Sequence, residues 1–185
     1  MARKSTRSDA VRNRQRTLDA AAAVFAEQGV SASTETIAAR AGVGVGTVFR
    51  HFPTKASLLS AVLAHMFDEL IEAAGVALAA QDPGTAFFDL LQHIVEQAGT
   101  KRAIADVLGS AAKEMSQRVY LGGLRETIAE LLARAQAAGA VRDDVGVDEV
   151  VAVIAAALRA AEHAVNNASL QRRVVGVVFD GLRPR

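Results

Sequence analysis

Apolar residues recur every three or four positions along most of this chain, and nowhere do they alternate with polar ones over the length of a strand. From about Ala10 to Gln28, Leu18, Ala21, Ala22 and Phe25 fall at i, i+3, i+4 and i+7, one face of an amphipathic helix that Gly29 ends. Ser33 then reads as an N-cap for a short helix, Thr34 to Arg40, with Ile37, Ala38 and Ala41 inward. Gly42 supplies the freedom in φ that a tight inter-helix turn needs. A second short helix runs from about Gly44 to His51. On a helical wheel Val45, Val48, Phe49 and Phe52 gather on one side, and Gly46, Thr47, Arg50 and His51 on the other. That second side is polar, cationic and free of carboxylates, which suits insertion into the major groove of DNA. Thr54, after Pro53, caps a long helix from Lys55 to about Ala80, whose apolar positions from Leu58 to Ile71 keep a helical period for four turns.

Beyond the breaker cluster Gln81-Asp82-Pro83-Gly84, the pattern predicts a helix from Thr85 to Ala98 ended by Gly99. A weaker helix follows over Lys101–Met115, with Gly109 inside it. Ser116–Gly123 takes no assignment, and Leu124–Ala138 carries Ile128, Leu131, Leu132 and Ala135. The last two helices run from Asp148 to about Val165 and from Ser169 to Leu182, and both are apolar nearly all round. Such helices must be covered on every side. We read Val151, Ile154, Leu158, Ala161, Val174, Val175 and Val178 as a homodimer interface in a two-fold four-helix arrangement. The alternative is that these helices lie at the centre of a monomeric bundle.

Composition sharpens the fold class to all-α, because alanine is abundant while Trp is absent and there are three Pro in 185 residues. No apolar run of about 18 residues spans a membrane. The N-terminus lacks the apolar centre of an export signal, and the chain has no Cys, so a cytoplasmic protein is expected. Charge is unevenly spread. Residues 1–55 hold nine Lys or Arg against four acids, and the remainder twelve against sixteen, under a net charge of +1. A basic head on an acidic body implies a polyanion contacted by the head. The organisation expected is a basic flexible tail at 1–9, a helix-turn-helix DNA-binding domain at 10–54, and a ligand-binding and dimerisation domain at 55–185.

The head resembles the TetR family of one-component transcriptional regulators. The resemblance rests on Ala21, Ala22, Phe25 and Gly29, then Thr36-Ile37-Ala38, Ala41-Gly42-Val43, Gly46-Thr47-Val48-Phe49, His51-Phe52, and Lys55 followed by Leu58-Leu59. It implies a three-helix DNA-binding head and a six-helix body that dimerises through its last two helices and encloses a small-molecule pocket. By position it places DNA contacts at Ser33, Thr34, Glu35, Val45, Gly46, Thr47, Phe49, Arg50, His51 and Lys55. Gly44 stands where the family usually has a capping serine, Phe49 where it has Tyr, and Glu35 where a base is common.

Arg50 is the residue assigned to base readout, since a guanidinium bridges guanine O6 and N7; a phosphate contact or surface ion pair is the plain alternative. Thr47 packs on a thymine methyl or donates to phosphate, Lys55 anchors a phosphate, and Arg12, Arg14 and Arg16 add non-specific attraction. For the ligand pocket the candidates are Met66, Glu69, Phe88, Gln92, His93, Met115, Tyr120 and His163. The weight of Ala and Val favours a mostly apolar effector.

The glycines at 42, 44 and 46 do not form a nucleotide loop, having no preceding strand and no following Lys-Ser/Thr pair. No His pairs with another at i+3 or i+4, and no catalytic triad is visible, so neither a metal, a cofactor nor an enzyme is expected. The expected function is a ligand-responsive DNA-binding regulator, acting as a homodimeric repressor on a palindromic operator. The alternative is a helical ligand-binding protein or enzyme with an incidental basic head.

Overall fold

A computed structural model describes residues 7–119, 123–163 and 168–184, with side chains described except at 7–8, 115–119, 161–163, 168 and 171. Its elements are α1 (Arg7–Gln28), α2 (Thr34–Ala41), α3 (Val45–His51), α4 (Lys55–Ala79), α5 (Pro83–Leu108), α6 (Ser110–Val119), α7 (Arg125–Ala137), α8 (Val147–His163) and α9 (Ala168–Asp180). No strand occurs among the described residues, so the all-α class holds. None of these helices is long and apolar enough to cross a membrane.

The chain divides into two compact units, Met1–Phe67 with Thr100–Glu114, and Asp68–Gly99 with Met115–Arg185. Both long helices, α4 and α5, run through the two. In the first unit α1, α2 and α3 pack on one another around Leu18, Ala21, Val24, Phe25, Ile37, Ala38, Ala41, Val48 and Phe52, all buried. In the second, a single cluster joins the far half of α4 (Leu70, Ala74, Ala77) and the near half of α5 (Phe87, Leu90, Leu91, Val95) to α7, α8 and α9. Gln136 of α7 donates to the carbonyls of Arg142 and Val145, and the Arg142 N–H to Leu182 O, which fixes the connection from α7 to α8.

Several boundaries differ from expectation, and three of them have a physical cause in view. Helix α1 begins at Arg7, so part of the predicted tail is helical; Asp9 pairs with Arg12 one turn on and favours that N-terminal end. Gly99 does not end a helix. The chain continues as helix from Pro83 to Leu108, because an interior glycine costs only about 1 kcal/mol and the apolar period persists to the buried Ile104 and Ala105. The break falls instead at Gly109, which takes φ +86°. The third is at the start of α8, where Asp148 lies inside the first turn and Glu149 reaches back to the Gly146 N–H at 2.9 Å.

Candidate nucleic-acid interface

The turn between α2 and α3 is built as the sequence requires. Ser33 accepts from the Thr36 N–H at 3.2 Å, capping α2. At the other end Gly42 adopts φ +65°, ψ +36°, and the Val43 N–H bonds back to Ala38 O. Helix α3 starts from Gly44, whose lack of a side chain leaves its first turn uncapped. Thr54 and Ser57 cap α4 reciprocally, the Ser57 N–H donating to Thr54 Oγ1 at 3.0 Å and the Thr54 N–H to Ser57 Oγ at 3.1 Å.

Along α3, Val48 is buried and anchors the helix, while Gly46 and Arg50 are exposed and Val45, Thr47 and His51 half-exposed. Phe49 departs from the wheel. Instead of facing inward with Val48 it is 46% exposed, because residues 48 and 49 lie about 100° apart on a helix and Val48 already fills the inner position. The face presented outward is therefore Gly46, Thr47, Phe49 and Arg50. Among the described residues Arg50 has no hydrogen bond or ion pair. Its plain alternative as a surface ion pair thus has no partner within this set.

The other bases nearby are engaged. Lys55 Nζ donates to Ala32 O at 2.8 Å, tying the start of α4 to the loop before α2; an ammonium keeps two further donors for a phosphate. Arg14 lies over the Phe52 ring at 5.3 Å, a cation–π seat at the end of α3. Arg16 rests against Gly42, where a Cβ would stand 2.6 Å from its Nη2. These two seats were not readable from sequence, since each joins residues far apart in the chain.

Arg40 pairs with Glu27, and that hydrogen bond holds the Glu27 carboxyl below its ordinary range. Glu35 is likewise lowered, first by its own backbone N–H at the start of α2 and then by the Ser33 hydroxyl. It stays an anion turned onto its own helix end. Inside the unit, His65 of α4 is 8% exposed and shares a 2.8 Å hydrogen bond between its Nε2 and Asp19 Oδ1 of α1.

Residues 18–62 match the family described as bacterial regulatory proteins of the tetR family, and residues 82–184 match the SbtR-like transcriptional regulator C-terminal domain. The chain belongs to the TetR family of transcriptional regulators. Its DNA-binding role follows with that membership.

Among solved structures it is similar to a TetR regulator from Mycobacterium vanbaalenii, with 37% identity, TM-score 0.71, and 96% of this chain and 99% of that one covered. It is also similar to SCO0520 from Streptomyces coelicolor, with 29% identity, TM-score 0.73, and 92% and 98% covered. Among curated relatives, the transcriptional repressor Rv3405c of Mycobacterium tuberculosis is 36% identical over 55% of this chain and 50% of its own length. SrpR of Pseudomonas putida is 52% identical over 35% of this chain and 30% of its own. This TetR chain therefore spans half or less of those curated relatives' lengths.

The candidate ligand residues fall in different places. Glu69 and His93 line an open cleft of about 730 Å³ in the second unit, between the far half of α4 and the near half of α5. Met66 is buried in the first unit, Gln92 is exposed and donates to Glu96, and Phe88 stacks edge-on to Phe87 beneath the Arg183 guanidinium. The side chains of Met115, Tyr120 and His163 lie outside the described residues, as does that of Ala161. Of the remaining dimer candidates, Ile154 and Val175 are buried in their own unit's core, and Val151, Leu158, Val174 and Val178 are half-buried. The outer stripe of α8 is Ala152, Ala155, Ala156 and Arg159. That of α9 is Arg173, Gly176, Val177 and Asp180, with Val177 73% exposed.

Proposed function

We propose that this TetR regulator is a repressor that binds a palindromic operator as a homodimer in the cytoplasm and is released by a small effector with an apolar body. The observation that carries the reading is the outward face of α3, on which Gly46, Thr47 and Arg50 stand without a carboxylate and Arg50 has no partner among the described residues. Phe49 shares that face, Ser33, Thr34, Val45, His51 and Lys55 flank it as contacts to the DNA backbone that set register, and Arg50 reads a base. Repression is supported by the function named for the Mycobacterium tuberculosis relative.

The dimer is formed through the small-residue stripe of α8 and α9, where Ala152, Ala155, Ala156 and Gly176 allow close helix approach and the exposed Val177 gains cover. Helix α4 links effector to operator. Its 25 residues begin at Lys55, bonded beside α2, and include Val76, which lines the cleft. A ligand that favours one placement of α4 changes the spacing of two reading helices and with it the fit to half-sites a helical turn apart.

Fluorescence anisotropy on the DNA flanking its own gene, with sedimentation of the same protein, tests the reading. A two-fold site bound by a dimer is expected, and Ala156→Glu abolishes both dimer and tight binding. A monomer that binds DNA equally well overturns the dimer.

A further inference from the structure

The cleft in the second unit is chemically lopsided. Two helical stripes line it, Glu69, Glu72, Ala73, Val76, Ala77 and Ala80 from α4 and Thr85, Ala86, Asp89, Leu90 and His93 from α5, with Asp82 at the turn between them. The floor is alanine, valine and leucine. Among the described residues the rim carries four carboxylates and the lining includes neither Lys nor Arg.

Three of these acids, Glu72, Asp82 and Asp89, pair with no base among the described residues. Glu72 and Asp89 are exposed and have no ion pair or hydrogen bond among the described residues. Asp82 accepts from the Thr85 N–H and hydroxyl, which hold its carboxyl below the ordinary range, so it remains charged at the mouth. Arg134 brings one positive charge to the end of α4, bonded to the carbonyls of Leu78 and Ala80 and not to a cleft carboxylate, so the acids of the cleft still outnumber it. Val76, 65% exposed, is the largest uncovered apolar group in the lining.

We propose that this cleft binds a lipophilic organic cation, an apolar body bearing one or more fixed positive charges. The body covers Val76 and the alanine floor, and the charge lies among Glu72, Asp89 and Asp82. Field from like charges lining a low-dielectric groove adds up, so it concentrates cations and repels anions and acidic segments alike. A neutral apolar molecule gains the floor alone and leaves the charge of Glu72, Asp82 and Asp89 uncompensated beside it. The inference deepens the proposed effector release and rests on that reading for its regulatory consequence, while capture of the cation stands on the cleft alone.

Titration calorimetry on the full chain uses tetraphenylphosphonium as the probe, with tetraphenylborate and neutral triphenylphosphine oxide as comparisons. Saturable binding of the phosphonium alone is expected, weakening as salt rises. Glu72→Gln with Asp89→Asn keeps shape and exposure and reduces the affinity about tenfold, two attractions of about 0.7 kcal/mol each, the scale of exposed charge pairs.

Equal binding of the neutral probe, or an unchanged affinity in the double variant, overturns the proposal. So does altered self-association of that variant with no phosphonium binding, which assigns the cleft to a second copy. Operator anisotropy on the same samples separates the two readings. Intact DNA binding with no phosphonium binding overturns the cation site and leaves the regulator standing. Phosphonium binding without any DNA binding does the reverse.

Discussion

Replacing Gly42 by alanine tests how the reading helix is held. Gly42 has φ +65°, and an L-residue in the left-handed region costs about 1–2 kcal/mol, offset by about 0.4–1 kcal/mol because alanine also restricts the unfolded chain. The net loss expected is about 1 kcal/mol, or roughly 2–4 °C in Tm for a chain of this length. Gly29 is the matched control. It has φ +78° with nothing within 4 Å of a built Cβ, so Gly29→Ala carries the same backbone cost and no contact. At Gly42 the new methyl meets Arg16 Nη2 at 2.6 Å. That atom is the end of a flexible side chain, so the stability of the two variants should agree within about 0.5 kcal/mol. They separate in DNA binding, where only Gly42→Ala displaces Arg16 from its seat and lowers affinity at low salt. Urea unfolding at one fixed protein concentration and operator anisotropy read the two effects. A Gly42→Ala protein as stable as the parent refutes the left-handed turn as a constraint. Equal DNA affinities for the two variants refute the seat of Arg16.

Arg50→Ala is expected to relax specificity at one base of each half-site by about 1–3 kcal/mol, measured across a panel of single-base operator variants; a uniform loss at all positions assigns Arg50 to phosphate instead. Arg134→Ala removes charge-assisted bonds to Leu78 O and Ala80 O and should cost about 2–3 kcal/mol by urea unfolding, with Arg134→Lys recovering only part, since an ammonium lacks the fork. The depressed Asp82 carboxyl contributes stability that is fully present above the ordinary aspartate range and is lost as acid titrates it in the folded state. Asp82→Asn should therefore flatten the acid limb of the stability profile, and an unchanged limb contradicts the capping role.

Much of the head was legible in the sequence because its signals are local. Ser33, Gly42, Thr54 and the inward set Ile37, Ala38, Ala41 and Val48 each act through neighbours within a turn, so spacing alone locates them. Phe49 was misplaced because a wheel ranks hydrophobicity and cannot tell which of two adjacent apolar residues takes the single inner position. The Gly99 and Gly109 positions were interchanged for a related reason. Glycine permits both helix and left-handed turn, and tertiary packing of Ile104 and Ala105 decides between them.

The ligand candidates scattered because aromatic and Met side chains at helical spacing serve packing as readily as binding, as Met66 and Phe88 do. The carboxylates of the cleft were individually ordinary surface acids. Only the α4–α5 hairpin brings Glu72 and Asp89 to one groove.

Selection of bound sequences from random duplex DNA by the full chain, at about 0.15 M salt where non-specific attraction is screened, tests whether α3 of a dimer reads a two-fold operator through Arg50. The expected result is an inverted repeat whose half-sites are centred a whole number of helical turns apart, each with a guanine whose enrichment disappears in Arg50→Ala. Enrichment of no sequence over the starting pool, or of one lacking two-fold symmetry, contradicts it.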